Sequence, residues 1–178
     1  MNTIEHRKSI LKSVEEYEKF LNTVTDEEFN GTPALDVWSY SEVYSHIFQA
    51  NLASLIAIDK CICGTGTNSA KPTHWAARLI LFFGRFPPIK LKAPESVKAL
   101  TAKISREEAR NIIIRFKKRL EELTTKVNKA NAYQKVKHPR LGLLNAVQWY
   151  RFIEIHTIHH QKQLLRIQKQ LNKNRKLT

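Results

Sequence analysis

Near its C-terminus the sequence reads His156-Thr157-Ile158-His159-His160, followed by Gln163, inside an apolar periodic pattern. Residues four apart on an α-helix lie one above the other, with Cβ atoms about 5–6 Å apart, so His156 and His160 can aim ring nitrogens at one cation. A catalytic zinc-like ion takes imidazole nitrogens at roughly 2.0–2.1 Å and three protein ligands in all, with one position left open. A third ligand must therefore come from another segment. In a zinc-protease helix a Glu follows the first His of such a pair and acts as general base. Thr157 stands there instead, which excludes that chemistry and keeps the metal pair.

The histidines need a helix to hold them. Leu144, Trp149, Phe152, Ile153, Ile155, Leu164 and Ile167 recur mostly at three- and four-residue intervals, which predicts a long amphipathic helix. Its core stripe carries Trp149, Ile153, His156, His160, Gln163 and Ile167. His159 is rotated about 100° from His160, to the edge of that stripe. A first helix is expected from about Thr3 to Val24, followed by a polar Asp26-Glu27-Glu28 stretch and a break at Gly31-Thr32-Pro33. A second should start at Ser39, with Glu42 three residues on in a capping-box arrangement, and continue towards Asp59. It carries Val43, His46 and Ile47 on one stripe. His46 is the one histidine on a core stripe outside the final helix, and a bundle would bring that stripe to face His156 and His160. Alone, a histidine beside Val43 and Ile47 is more often a hydrogen-bonded core residue; the combination makes it the third ligand.

A third long helix is expected from near Ser105 to about Ala130, with Ile112, Ile113, Phe116, Leu120, Leu123 and Val127 inside. Between the second and third, Gly64 to Ser69 reads as a loop, and Pro72, Pro87, Pro88 and Pro94 punctuate the chain. Residues 73–86 are strongly apolar with basic flanks. A membrane-interface segment is one reading; a short helix in a long crossover, covering one end of the bundle and lining its pocket, is the favoured one. His138-Pro139-Arg140-Leu141-Gly142 is expected to turn the chain into the last helix.

At 178 residues the chain is expected to form a single domain, 1–178, with an adequate core. No run of 18 apolar residues exists, which argues against a spanning helix. Cys61 and Cys63 stand too close for an ordinary bridge and are expected as free, packed thiols; with an N-terminus lacking an apolar leader, this points to the cytoplasm. The +14 formal charge favours anionic partners through a salt-sensitive field but does not name one. A non-enzymatic basic module for nucleic acid or anionic surfaces is thus the rival reading, motivated also by the tail Lys169, Lys173, Arg175 and Lys176. Acidic residues interrupt the basic face of the third helix, and no nucleic-acid reading motif accompanies it, so nucleic acid is disfavoured. A buried polar cluster without metal is a further alternative for the histidines.

With these residues assembled, the chain resembles the DinB/YfiT-like superfamily of metalloenzymes, whose name refers to DNA-damage-inducible proteins. The resemblance spans the sequence. It is carried by Val37-Trp38-Ser39 leading to His46, by His138-Pro139-Arg140-Leu141-Gly142, by Trp149, and by His156-x-x-His159-His160-x-x-Gln163. It implies an all-α four-helix bundle with a long crossover carrying an extra short helix, and a divalent ion on His46, His156 and His160, the same three that helix geometry selects. It further implies a metal-dependent hydrolase or thiol-dependent transferase. Imidazole ligands suit zinc, nickel, iron, copper or cobalt, and zinc or nickel is the ion expected. Glu42, one turn before His46, is a proton-shuttle candidate whose competing role is the helix cap, while His159 and Gln163 could position a ligand or fix an imidazole tautomer. The partners expected are a small-molecule substrate, a low-molecular-weight thiol among them, and a second copy in a homodimer. Trp38 and Trp149 are expected to pack the bundle, and His6, His74 and His138 to be surface or turn residues.

Overall fold

The computed structural model describes residues 2–35, 37–87 and 101–175, the side chains of 172–175 excepted. Pro88, Pro94, Lys176 and the side chains of Lys173 and Arg175 lie outside that set.

Four long helices make the bundle: α1 (Thr3–Thr23), α3 (Tyr40–Ile62), α5 (Arg106–Val127) and α6 (Ala146–Arg175), with the short α2 (Asp26–Asn30) and α4 (Trp75–Phe83) between them. Each start has a local cause. Asn2 caps α1 through its side-chain oxygen, and Ser39 and Ser105 open α3 and α5 in capping boxes closed by Glu42 and Glu108. Such boxes satisfy orphan N–H groups at a helix start. Asn145 and Gln148 do the same for α6: each backbone N–H donates to the other's side-chain oxygen at 3.0 Å.

In the bundle α3 packs on α6 and α5, and α1 packs on the same two, so α1 faces α3 across the core. The centre is aromatic: Tyr17, Tyr44, Phe48 and Phe116 are fully buried, and their rings meet edge to face. The Tyr17 hydroxyl donates to Thr157 O at 2.9 Å, and that of Tyr44 to Tyr17 O at 2.7 Å. Paired in this way, the buried phenols tie α1 to α3 and α6 without a desolvation penalty.

The sequence reading missed two features. Asp26-Glu27-Glu28 is the first turn of α2, which Thr25 caps with Glu28. The His-Pro-x-x-Gly segment does not lead straight into the last helix; it is the turn of a hairpin. β2 (Gln134–His138) and β3 (Gly142–Asn145) pair antiparallel, with His138 opposite Gly142, and the two-residue β1 (Thr67–Asn68) adds to β2. Leu144 therefore belongs to a strand, and α6 starts at Ala146. Gly142 has φ +75, a left-handed conformation that a glycine adopts without the Cβ clash.

The crossover holds its short helix as expected. On α4 only Ala77 is fully buried, while Ile80, Leu81 and the following Phe86 pack partly on the core. Trp75, Leu79, Phe82 and Phe83 remain exposed. No helix among the described residues is long and apolar enough to cross a membrane.

Candidate metal centre

His46 on α3 and His156 and His160 on α6 converge where the two helices cross. One ligand atom from each lies within 4.8 Å of the others. Ring centroids are 5.2 Å apart for His46 and His156, 4.8 Å for His46 and His160, and 4.6 Å for His156 and His160. His156 and His160 are buried and His46 is half-buried. Trp38 lies 5.1 Å from the His46 ring, and Phe152 stacks on His156 at 5.1 Å and 18°. Trp38 thus packs against the site itself, whereas Trp149 is buried and donates its indole N–H to Val136 O.

A chain of hydrogen bonds fixes which nitrogen of His156 carries the proton. The Thr157 hydroxyl donates to Ile153 O at 2.7 Å, so its oxygen can only accept from Asn51 Nδ2, 2.9 Å away. Asn51 must then turn Oδ1 towards His156 Nδ1, 3.2 Å away. An amide oxygen needs a proton on that nitrogen, which leaves Nε2 with its bare lone pair. His160 is held likewise, Nδ1 to Gln163 Oε1 at 2.6 Å. Asn51 escaped the sequence reading, which took Thr157 only as the absence of a zinc-protease glutamate and not as part of this hydrogen-bond chain. The available signal was a buried Asn five residues after His46 on an apolar face, and the Thr beside His156.

Electrostatics keep the three rings neutral near pH 7. Burial, then the charge of His159, pushes His46 down from 6.5 to about 4. Burial, then His46 and His159, pushes His160 to about 3. Full burial first, and then its neighbouring imidazoles, hold His156 well below 6.5. Three neutral imidazoles, two of them buried, suit one borderline cation and leave it its full charge.

The remaining expected residues fall in several places. His159 is half-buried at the stripe edge, its ring 5.1 Å from His160 and 5.0 Å from Phe86. Its basicity is lowered by burial first and then by Arg166 and Lys162. Glu42 Oε2 accepts from the Ser39 N–H at 2.8 Å and the Ser39 hydroxyl at 2.6 Å, so its carboxylate closes the α3 cap. His74 is exposed before α4. His6 is no surface residue: its Nδ1 lies 2.6 Å from the carboxylate of Glu154, which is buried and also paired with Arg151. His138 is a turn residue but an enclosed one, packed on Trp149 and Phe152 and pushed down to about 4 by burial and then by Arg140. Of the two free thiols only Cys61 is packed, where burial raises it to about 11; Cys63 is exposed.

Among curated proteins none matches the chain significantly. Among solved structures, YfiT from Bacillus subtilis, described as "a probable metal-dependent hydrolase with an unusual four-helix bundle topology", superposes with a TM-score of 0.61 at 11% identity, covering 96% of this chain and 87% of that one. TT2238, described as a four-helix bundle protein, is similar with a TM-score of 0.47 at 17% identity over 92% and 95% of the two chains. The likeness to YfiT is one of fold. A family profile matches residues 10–164, a span that contains all three converging histidines, and by that match the chain belongs to the DinB superfamily.

Proposed function

We propose that this protein is a divalent-metal-dependent enzyme, a hydrolase or a thiol-dependent transferase, whose ion sits on His46, His156 and His160. One observation carries the reading: three neutral imidazoles from two helices bring ligand atoms within 4.8 Å of one another, and in two of them Nδ1 is bound to an amide oxygen, which leaves Nε2 with its lone pair. A chain that needed only a buried polar cluster would pair these lone pairs with donors, since unsatisfied buried acceptors are costly. The ion would supply a Lewis acid that polarises a carbonyl or phosphoryl oxygen and acidifies a water or thiol.

The chain's own residues do the rest. Asn51 and Gln163 hold the tautomers, Trp38 and Phe152 limit water around the rings, and His159 stands beside His160 at the pocket edge. Glu42 is the nearest carboxylate in sequence to His46, and a shuttle role would draw it off the α3 cap. The DinB membership and the description of YfiT support the hydrolase version; a borderline ion on three imidazoles, which readily accepts a thiolate as a further ligand, supports the transferase version. Two unbridged cysteines suit a reducing cytoplasm. Three of the α5 cations are answered by carboxylates, Arg106 by Asp26, Lys117 by Glu18 and Arg119 by Asp59 and Glu122, which interrupts the phosphate track that the basic-module reading needs there.

The test is a substrate screen of zinc- and nickel-loaded protein against ester, amide and phosphoester substrates and against electrophiles with low-molecular-weight thiols. Turnover that disappears in His156→Ala and His160→Ala supports the proposal. Turnover that persists in both removes the site from the chemistry.

A further inference from the structure

On the far side of His159 lies a second chemical environment. The left-handed Gly84, φ +64, ends α4 and folds Arg85, Phe86 and Pro87 over the outer face of α6. Beneath them the α6 residues Ile155, Ile158, His159, Lys162, Arg166 and Lys169 recur at helical spacing along one face. Together they line a half-open cavity of about 520 Å³. Volumes of roughly 300–1,000 Å³ are usual for small-molecule sites.

Its lining is divided. Phe86, Ile158 and Leu165 supply an apolar wall, while Arg85, Lys162, Arg166 and Lys169 supply four cationic side chains, and no carboxylate lines it among the described residues. A second cavity, of about 430 Å³, is lined by His6, Arg78 and Arg151, and two of these three pair with the buried carboxylate of Glu154. Cations gathered with no carboxylate among the described lining residues repel one another, and a bound anion relieves that. His159 forms a shared wall with the three-histidine site, its ring 5.1 Å from that of His160.

We propose that this cavity binds an amphipathic anion, a carboxylate or phosphate on an apolar body, and seats it beside the three-histidine site. The head group meets Arg85, Lys162, Arg166 and Lys169, and the apolar body lies on Phe86, Ile158 and Leu165. As a statement of substrate class this rests on the metal reading above; as a statement about the cavity it does not.

Calorimetric titration of the full-length protein with octanoate and with 1-octanol tests it, alongside Lys162→Glu/Arg166→Glu and a separate elemental analysis. Octanoate should bind at least about tenfold more tightly than octanol, and the double charge reversal should remove that preference while leaving octanol binding in place, as charge-assisted contacts of this kind require. Equal affinity for the two ligands, or octanoate binding indifferent to the reversal, overturns the proposal. In sedimentation with phosphatidylglycerol vesicles, reversal-sensitive binding without octanoate binding assigns the cations to a lipid surface and overturns it as well. Protein that binds octanoate but takes up no zinc or nickel removes the metal reading alone, and metal-loaded protein that ignores octanoate removes the cavity alone.

Discussion

His138 and His156 flank the same ring, Phe152, and both are held below the ordinary imidazole range by burial, yet the fold uses them in opposite ways. In the hairpin, His138 Nδ1 accepts from the Arg140 and Leu141 N–H groups, each at 3.1 Å, so its proton sits on Nε2. At the crossing of α3 and α6, His156 Nδ1 donates to Asn51, so its Nε2 is bare. Under the proposed function, what would set a metal ligand apart is less burial or weakened basicity than which ring nitrogen the surrounding hydrogen bonds occupy. One histidine staples a turn; the other presents a lone pair.

The largest effect that separates the two is on metal content. His156→Ala should take the purified protein from one ion per chain to almost none by elemental analysis, whereas His138→Ala should keep the ion and lose about 1–3 kcal/mol of stability to denaturant, through two N–H groups left without their acceptor. Equal metal loss in both would erase the distinction. Next comes the orienting amide. Asn51→Leu leaves every ligand in place but frees the His156 tautomer, and a competition titration should find zinc binding weakened by about 10–100-fold.

Acid should weaken the metal-free protein. His46, His138, His156 and His160 have folded values below 6.5, so below that pH the unfolded chain binds more protons than the folded one. The stability they allow is fully present above about pH 6.5 and is lost as pH falls towards 4 and then 3, at up to about 1.4 kcal/mol per pH unit for each proton. Denaturation midpoints across that range measure it, and His138→Gln should make the slope shallower by one proton. The smallest effect belongs to the turn: Gly142→Ala meets nothing within 4 Å, so only the φ of +75 resists it, at about 1–2 kcal/mol and with metal content unchanged.

The long helices and the converging histidines were legible because their signals are periodic. His46, His156 and His160 sit on apolar stripes, and two stripes in one bundle have few ways to face each other. Ser39 with Glu42 and Ser105 with Glu108 mark their helix starts in the sequence itself. The hairpin was illegible for the opposite reason. Gln134–His138 offers one apolar residue, Val136, among polar ones, and it buries Lys135 by pointing its ammonium at Lys71 O, a partner 64 residues away. Asn51 could not be read as an orienting group because its meaning depends on Thr157, 106 residues on, and on where that hydroxyl sends its proton. The buried pairing of His6 with Glu154 joins opposite ends of the chain and has no local signature.

X-ray absorption spectroscopy of the zinc-loaded protein tests the central claim most directly, because it counts the imidazoles on the ion. Three histidine nitrogens at roughly 2.0–2.1 Å, falling to two in His46→Ala, is the expected result. An ion held by two or fewer imidazoles in the unmodified protein, or a shell that His46→Ala leaves unchanged, would contradict it.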